Sequence, residues 1–590
     1  MYSRGRALER IAKEKVLYER RRGGDIRVCV AYPNTYPLAM ANLGFQSIFH
    51  IFETDPLVAA DRAYLPDPDE RAGISARGDM LVSFENGQPL SGFDIIAFSI
   101  SFETDYLNVI GMLRMAGIPP RRADRAGRGY PLIIAGGSAV FLNPEPIADF
   151  VDLFLIGEGE EMVPEFLAAW HRGREMSPEA RFDEISRVGG AYRPDWFRPT
   201  YDDGGPMAGV EYRGPGDARV KRRMVRDLDR FRTASLILTD ESVFGDMYLV
   251  EASRGCQWGC RFCAAGFMYR PIRYRSPENI TAEAQRGLKE RRVIGLVGAE
   301  MSTVPGVAEI AQTVADSGGR LSPSSLKADC ITPQLAAALS RNGNHSVTIA
   351  PEAGSERMRK VINKNLTEAE ILRAADLMVG EGVEHLKCYF MIGLPEETDA
   401  DVREIARLTG TILARAQAGR KRISRVTVSL NPFVPKPWTP FQWDPMEDSR
   451  TLKRKVAMLR SEVGRMGGIE LDAESPREAY FQTLVSRGDR RVGGILERLD
   501  AAGCSQPGDI WHELKKIGRE HDDRSESALP TLPHPDSYVT RSYSHDETLP
   551  WDFIDHHIHK WFLSSERKKA HYEHQSKPCD VTRCTVCGAC

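Results

Sequence analysis

The sequence has no apolar run long enough to cross a membrane and no export signal at its start. A bilayer-spanning helix needs about 20 consecutive apolar residues, whereas residues 1–22 are basic and polar, with eight Lys or Arg against three Glu. An excess of charge of one sign is also missing, since the formal net charge is −3 over 590 residues. These absences argue against a membrane protein, an exported protein and a protein that is cationic overall. We therefore expect a cytoplasmic protein.

Two stretches are nevertheless locally basic, residues 1–22 and 219–232. Neither shows a pattern of aromatic residues regularly interleaved with its charges, as a surface that stacks nucleic-acid bases would have. We expect solvated helix and linker surfaces there, with nucleic-acid contact as the alternative.

The chain does have a large apolar fraction, 42%, and eleven cysteines. Its length and composition predict a soluble globular protein of three to four domains. Seven of the cysteines fall in two tight groups, which fits metal centres in a reducing compartment better than a disulfide framework. The other four are expected to be small buried hydrophobic side chains: Cys29, Cys330, Cys388 and Cys504.

The first group is Cys256, Cys260 and Cys263, at spacing C-x-x-x-C-x-x-C after an apolar run at 247–252. Three thiolates can bind three irons of a 4Fe-4S cube and leave the fourth iron open, as catalytic metal sites leave one position open. A zinc knuckle or a redox pair is the alternative for the bare spacing. Strand-like and helix-like segments then alternate, as a parallel barrel requires. The strand-like runs are 293–297, 345–350, 385–392 and 425–430.

With Phe262 just before the third cysteine, this motif resembles that of the radical S-adenosylmethionine (SAM) superfamily. The resemblance implies that the open iron chelates the amino and carboxylate groups of SAM, and that one electron from the cluster cleaves SAM to a 5′-deoxyadenosyl radical. It also implies a reducing partner such as a flavodoxin or a ferredoxin. The cofactor supplies this chemistry and the protein positions it.

The turns after the strand-like runs resemble those of the same family. Gly298, Ala299 and Glu300 lie where the family receives the methionyl amino group of SAM, with alanine in place of the second glycine. The turn at 350–356 resembles the family's G-x-E-S-G-S turn and places Glu352 and Ser355 near the ribose or the carboxylate of SAM. The run 389–395, which includes Ile392 and Gly393, resembles the strand that lies along the adenine.

Residues 25–200 also alternate between strand and helix patterns, which predicts a doubly wound sheet with a binding crevice at the carboxyl ends of its strands. Four glycines follow these strands: Gly136, Gly137, Gly157 and Gly159. With the intervening N-P-E-P run, they resemble the cobalamin-binding domain that precedes the barrel in one class of radical SAM enzymes. The resemblance implies that the glycines let a corrin approach the backbone. The D-x-H-x-x-G motif for a cobalt-ligating histidine is absent.

The proline-punctuated segment 431–443 cannot be a regular helix. We expect this segment to pack as a loop across the barrel mouth, or to contact the substrate through Lys436 or Trp438. Further on, Ile554, Ile558, Trp561 and Phe562 have helical spacing and predict a docked helix, with the neighbouring histidines on its solvated side.

The second cysteine group ends the sequence, as Cys579, Cys584, Cys587 and Cys590. Its last three members have ferredoxin-like spacing, and four thiolates close a coordination sphere. We predict a structural or electron-carrying iron-sulfur cluster, with a closed zinc site as the alternative.

The predicted fold class is α/β. A doubly wound domain of Rossmann or flavodoxin-like type precedes a partial (β/α) TIM-type barrel, a helical region and a Cys-rich tail. The predicted boundaries are 1–24 (basic segment), 25–200 (cobalamin-binding-like domain), 201–245 (linker), 246–446 (barrel), 447–519 (helical cap), 520–548 (linker) and 549–590 (helix and tail).

The whole arrangement resembles a family of bacterial radical SAM proteins with no settled substrate. The predicted function is a radical SAM enzyme that methylates an unactivated carbon with the help of cobalamin. One alternative is a radical cleavage, rearrangement or sulfur insertion with the tail cluster as an auxiliary centre. Another is a non-catalytic iron-sulfur and corrin sensor or maturation scaffold.

Overall fold

A computed structural model of the chain describes residues 2–21, 23–202, 205–341, 346–418, 423, 425–523, 532–581 and 583–589. Two predicted positions, His345 and Cys590, lie outside the described residues. None of the described helices combines the length and apolar character that crossing a bilayer requires.

The N-terminal domain is built around a six-stranded sheet. The strands of this region are β1 (Lys15–Val16), β2 (Ile26–Tyr32), β3 (Val58–Tyr64), β4 (Ile95–Ser99), β5 (Leu132–Gly136), β6 (Leu153–Leu155) and β7 (Ala191–Tyr192). Its helices are α1 (Tyr2–Lys13), α2 (Tyr36–Met40), α3 (Leu43–Thr54), α4 (Pro68–Arg77), α5 (Tyr106–Met115), α6 (Arg122–Arg125), α7 (Ser138–Leu142), α8 (Gly159–Arg172) and α9 (Pro178–Ile185).

The strand order is β3-β2-β4-β5-β6-β7, and all neighbours except β6 and β7 are parallel. The first five strands have the flavodoxin-like order, whose direction reverses between β2 and β4. The central strands are buried on both faces, which explains their unbroken apolar runs. The predicted doubly wound domain is therefore confirmed.

The predicted linker 201–245 is largely structured. It holds β9 (Met207–Tyr212), paired antiparallel with β8 (Phe197–Tyr201), and the short strands β10 (Val220–Lys221) and β11 (Ile237–Leu238). Strand β11 pairs with β1 and so ties the basic N-terminal segment to this region.

Arginines of both basic stretches form ion pairs within the protein. Arg10 lies 2.9 Å from Glu241, and Arg223 lies 2.7 Å from Glu165. These arginines pair within the protein, and the choice between solvated surfaces and nucleic-acid contact stays a prediction.

The second domain is a curved array of parallel strands. The strands here are β12 (Met247–Glu251), β13 (Ser253–Arg254), β14 (Arg273–Tyr274), β15 (Val293–Val297), β16 (Arg320–Pro323), β17 (Ser346–Glu352), β18 (His385–Ile392), β19 (Arg425–Pro432) and β20 (Ile469–Ala473). The helices are α10 (Ala265–Met268), α11 (Pro277–Gly287), α12 (Val307–Asp316), α13 (Pro333–Arg341), α14 (Glu356–Val361), α15 (Glu368–Glu381), α16 (Asp399–Ala418) and α17 (Ser449–Val463).

Strands β12-β15-β16 form one parallel sheet and β17-β18-β19-β20 another. A single parallel bridge between Leu326 and Ile349 connects the two sheets. Within the described residues no ladder joins β20 to β12, so the barrel is partial, as predicted. Strand β20 lies beyond residue 446, and the barrel therefore extends into the segment predicted to be a purely helical cap.

Alternation along β18 separates the two faces of this sheet. Leu386, Cys388 and Phe390 are buried under the helices, whereas Lys387 and Tyr389 point to the barrel interior. This period of two is the pattern of a strand with one face packed and one face toward a cavity.

The C-terminal region contains α18 (Pro476–Arg487), α19 (Val492–Ala501), α20 (Pro507–Asp522), α21 (Asp536–Val539), β21 (Ile554–Asp555) and α22 (Lys560–His571). Tyr538 and Val539 are buried, so this part of the predicted linker 520–548 is packed.

The helix predicted to include Ile554 and Ile558 begins later, at Lys560. Ile554 belongs to β21, which pairs with β10, and Trp561 is 59% exposed. His556 is fully buried, which contradicts the predicted solvated histidine face. The pairing with a distant strand overrides the local helical spacing.

Candidate active site

The three cysteines of the first group lie together in the loop between β13 and α10. Cys260 is buried, and Cys256 and Cys263 are half-buried. Burial, with smaller contributions from the other thiols, raises the pKa of Cys256 to about 12; burial is also the main reason that the pKa of Cys260 is raised to about 11. Thiols in this setting become thiolates when a cation binds them, as a metal cluster does.

The cluster loop, residues 256–263, is held by a fully buried arginine. The Arg261 guanidinium donates to the carbonyl oxygens of Val361 at 2.7 Å and of His574 at 2.6 Å. It also forms a buried ion pair with Glu566 of α22 at 3.2 Å. The Asn363 amide donates to the Gly259 carbonyl oxygen at 3.0 Å. The loop is thus fixed by the segment after α14 and by the C-terminal helix.

Of the residues predicted to receive the amino group of SAM, Ala299 lines a cavity described below, and Glu300 is largely committed to local hydrogen bonds. The Glu300 carboxylate accepts from the backbone N–H of Ser302 at 2.6 Å and from the Thr303 hydroxyl. The Gly298 carbonyl oxygen accepts from the Ser324 hydroxyl at 2.9 Å. This hydrogen bond therefore holds the carboxyl ends of β15 and β16 together at this turn.

Glu352 ends β17 with a φ of 66°, a strained conformation for a residue with a Cβ. Its carboxylate lies 3.3 Å from Lys364, whose pKa is raised chiefly by Glu352 and Cys260 against the effect of burial. Ser355 instead caps α14, accepting from the Met358 N–H at 3.1 Å and donating to Asp401 at 2.6 Å.

Ile392 is fully buried, and the Gly393 N–H donates to Glu397 at 2.7 Å. Ile392, Gly393 and Ser355 do not line either of the two cavities described below. Their predicted contacts with SAM stay predictions.

A cavity of about 740 Å³ occupies the barrel interior beside the cluster loop. We call it the barrel cavity. Its wall at the loop is formed by Phe262, Cys263 and Glu352, and its deeper wall by side chains of β18, β19 and β20. It has the size of a small-molecule site.

A second cavity, of about 440 Å³, lies between the two domains and is called the interface cavity. On the N-terminal side it is lined by the carboxyl ends of β4, β5 and β6, including Gly136, Gly137, Gly157 and Gly159. On the barrel side it is lined by Ser253, Arg254, Ala265, Tyr269 and Ala299. The second domain therefore covers the predicted crevice at the strand ends.

Gly137 and Gly157 are glycines for a reason other than the predicted approach of a corrin to the backbone. Gly137 has a φ of 108° and Gly157 a φ of 132°, and a Cβ at these positions would overlap the backbone of Ile100 and of Arg223, respectively. These glycines are required first by packing within the protein, although their backbones also line the cavity.

Buried charges join the domains at the edge of this cavity. Arg254 lies 3.1 Å from Glu158 and 2.7 Å from Glu251, and Arg273 lies 2.6 Å from Glu158. Although burial opposes it, Arg273 and Arg254 hold the pKa of Glu158 below its ordinary value. The hydroxyl oxygens of Ser47 and Ser253, which also line the cavity, are buried without a hydrogen-bond partner among the described residues.

The second cysteine group lies beside the first. The Cys579 N–H donates to the Gln257 carbonyl oxygen in the cluster loop at 2.8 Å, and the Cys587 carbonyl oxygen accepts from the His559 N–H at 2.9 Å. Cys587 is buried and Cys584 is half-buried. At neither cysteine group are three described His, Cys, Asp or Glu side chains grouped so as to hold one metal ion. Cys590 lies outside the described residues.

Lys436 and Trp438 join the proline-punctuated segment to its surroundings. Lys436 lines the barrel cavity and forms an ion pair with Glu103 at 2.6 Å, which links the barrel to the N-terminal domain. Trp438 is buried and packs edge-on against His556, with ring centroids 4.9 Å apart.

Sequence reasoning missed the roles of Arg261 and Arg254. A charged residue inside a cysteine motif indicates that an ion-pair partner is needed. The partner of Arg261, Glu566, is 305 positions away in the sequence. Such a pairing is visible only in three dimensions.

Two family profiles match the chain. The profile of the radical SAM superfamily matches residues 250–409, and that of the N-terminal region of radical SAM proteins matches residues 44–194. The chain belongs to the radical SAM superfamily. Enzymes of this family use a 4Fe-4S cluster and SAM. The two matches lie within the two domains that line the interface cavity.

Among relatives, this radical SAM protein is 29% identical to an uncharacterized protein of Methanocaldococcus jannaschii over 417 residues, which are 70% of this chain and 82% of that protein. It is 23% identical to a Pyrococcus horikoshii protein named as an uncharacterized methyltransferase, over 46% of this chain and 56% of that protein.

Among solved structures, this radical SAM protein is similar to the cobalamin-dependent S-adenosylmethionine radical enzyme OxsB with aqua-cobalamin and SAM bound. The TM-score is 0.46 and the identity 16%, over 68% of this chain. This radical SAM protein spans about half of that structure's chain, 53%.

Proposed function

We propose that this radical SAM protein methylates an unactivated carbon of its substrate with the help of cobalamin. One observation carries the proposal: Ala265, two residues after the third cysteine, lines both the interface cavity and the barrel cavity. A cofactor between the domains and a substrate in the barrel would therefore meet beside the cluster loop.

In this proposal Cys256, Cys260 and Cys263 bind the 4Fe-4S cluster. Their burial and raised pKa values fit a site whose ligands become anionic only with the metal present. Arg261 orients the loop through its buried ion pair with Glu566. When bound, the cluster and SAM would supply the 5′-deoxyadenosyl radical, and cobalamin would supply the methyl group.

The interface cavity has features that suit a corrin. Corrins carry amide side chains, and the unpartnered hydroxyls of Ser47 and Ser253 could pair with such groups. No histidine is among the described lining residues, which fits a corrin bound without a protein ligand to cobalt. The relative named as a methyltransferase gives further support to the choice of reaction.

We also propose that the tail cysteines bind a second iron-sulfur cluster, with zinc as the alternative metal. The hydrogen bond from Cys579 to Gln257 supports a centre beside the first one. Four thiolates would close its coordination, which suits a structural or electron-carrying role.

The test of the corrin site is retention of cobalamin by anaerobically reconstituted protein after desalting. Gly44 of α3 lines the interface cavity and is exposed, so Gly44→Trp should fill the cavity mouth and abolish retention. Gly380→Trp is the control, because Gly380 is also an exposed helical glycine. A Cβ at Gly380 meets nothing within 4 Å, whereas one at Gly44 lies 3.2 Å from the Asn42 side-chain oxygen.

The methyl transfer is tested by incubating the protein with methyl-labelled SAM and cell extract. The label should appear in a product with a new carbon-bound methyl group, and Gly44→Trp should lose it while still forming 5′-deoxyadenosine. Failure of the unaltered protein to retain corrin at saturating cobalamin would overturn the proposal.

A further inference from the structure

Some of the charged side chains that line the barrel cavity have no ion-pair partner among the described residues. They belong to Glu352, Lys387, Lys436, Asp472 and Glu474. Glu352 is paired with Lys364, and Lys436 with Glu103. The other three side chains have no ion pair with any residue that the structure describes. The cavity therefore offers one ammonium, which lies 5.3 Å from the centre of the Tyr389 ring, and two solvent-exposed carboxylates, none of them in an ion pair with a described residue.

These three charges lie at different depths. Strand register pairs Lys387 with Thr427, and Asp472 with Ser429, which is two residues nearer the carboxyl end of β19. At about 3.3 Å per residue, Asp472 lies roughly 7 Å nearer the barrel mouth than Lys387. Glu474 follows the end of β20 and lies nearer still. The cluster loop is at the mouth, so the backbone of Lys387 is deeper than the backbones of the two carboxylates, and its ammonium reaches over the ring of Tyr389.

A buried polar group between the charges also lacks a partner among the described residues. Ser429 lines the cavity and is 7% exposed. The Asn431 side-chain oxygen is buried without a partner. Buried polar groups are normally hydrogen-bonded, so a ligand that reaches both strands would satisfy it. The Tyr389 ring, 37% exposed in the same wall, adds an apolar contact surface.

We propose that the barrel cavity binds a zwitterionic substrate whose acid and ammonium groups are separated by several bonds. Its acid group pairs with Lys387, and its ammonium group pairs with Asp472 and Glu474. Neighbouring strands are about 4.8 Å apart, and Lys387 and Asp472 are two strands apart as well as offset in depth. The span suits an extended zwitterion better than a compact α-amino acid.

The same charges disfavour other classes of substrate. A polyanion such as a nucleic acid would face the two carboxylates at the mouth before it reached Lys387, and like charges repel. Burial, together with Glu478 and Asp472, raises the pKa of Glu474, and a bound ammonium would relieve the repulsion between the carboxylates. The inference that the ligand is the substrate rests on the proposed function.

The test is equilibrium binding of three matched probes to the reconstituted protein: 6-aminohexanoate, hexanoate and hexylamine. We expect 6-aminohexanoate to bind at least tenfold more tightly than either probe with a single charge. Lys387→Gln and Asp472→Asn should each weaken its binding at least tenfold. Glu470→Gln is the control, because Glu470 is on the same strand but is paired with Arg425 and does not line the cavity.

Equal binding of hexanoate and 6-aminohexanoate would overturn the proposal in favour of a simple anion site, and equal binding of hexylamine in favour of a cation site. No binding of any probe would also overturn it, provided that circular dichroism shows folded variants. Corrin retention and 5′-deoxyadenosine formation, measured on the same samples, separate this outcome from a failure of the proposed function.

Discussion

The two cysteine groups lie side by side, but the fold supports them differently. The cluster loop is anchored by the buried Arg261 and by Asn363. The tail is anchored near its cysteines by backbone hydrogen bonds to Gln257 and from His559, and Cys584 is half-exposed. The protein therefore anchors the backbone of the first loop in advance of the metal, although no three described Cys, His, Asp or Glu side chains are grouped so as to hold one metal ion. The tail has fewer side-chain anchors at its cysteines and depends more on the metal to order its ligands.

The largest expected effect is at the first group. Cys260→Ala should remove about four irons per chain, since three thiolates hold that cluster, and should reduce 5′-deoxyadenosine formation to the level without protein. Iron analysis and product chromatography measure the two effects. Cys504→Ala, far from both groups in sequence, is the control and should retain both. A Cys260→Ala protein that still cleaves SAM would refute the assignment of the cluster ligands.

The next largest effect is expected for Arg261, which anchors the cluster loop. Arg261→Met leaves Glu566 with Lys569 and Ser576 as its remaining partners. It also removes the donor to the carbonyl oxygens of Val361 and His574, and a buried acceptor left without a donor costs about 1–3 kcal/mol. Denaturant unfolding of the metal-free protein measures this free energy. Arg415→Met removes an exposed pair with Asp376 and should leave the unfolding midpoint unchanged. Similar midpoints for both variants would show that the loop is not anchored in advance of the metal.

An effect that is absent at neutral pH and grows on acidification concerns the segment that carries the tail. Burial and the nearby Arg222 lower the pKa of His556 to about 3, whereas an unfolded histidine titrates near 6.5. Below the unfolded value the unfolded state takes up a proton that the folded state does not. Stability should therefore fall between pH 6.5 and about 3, by up to about 1.4 kcal/mol per pH unit.

Unfolding curves across this range test the prediction. His556→Gln should flatten the pH dependence, whereas His571→Gln, a change at an exposed histidine of α22, should not. An unchanged slope in the His556 variant would mean that other groups dominate the acid response.

The smallest effect is expected for Cys584→Ala. It should lower the metal content of the tail but leave most of the 5′-deoxyadenosine formation, because the cluster loop keeps its own anchors. Iron and zinc analysis identifies which metal is lost. A loss of activity as deep as that of Cys260→Ala would contradict the difference drawn between the two groups.

Much of the architecture was predictable because it depends on local patterns. Unbroken apolar runs predicted the strands of the doubly wound sheet, and alternation predicted strands such as β18. Predictions from local patterns were wrong where pairing with a residue distant in sequence determined the structure. Ile554 follows a helical spacing but pairs with Val220, and β20 completes the barrel from within an otherwise helical region.

The candidate site shows the same division. The spacing of Cys256, Cys260 and Cys263 and the glycines of the N-terminal domain were evident in the sequence. The shared wall at Ala265, the buried pair of Arg261 with Glu566 and the charges of Lys387 and Asp472, which have no ion pair with a described residue, were not.

The sequence by itself determined the type of chemistry, because metal ligands, turn glycines and strand periodicity act over a few residues. Only the tertiary structure decided where the two cavities meet, which charges are neutralised and which are left for a ligand. Those properties arise from contacts between residues that are tens to hundreds of positions apart, and they depend on which side chains share a buried space.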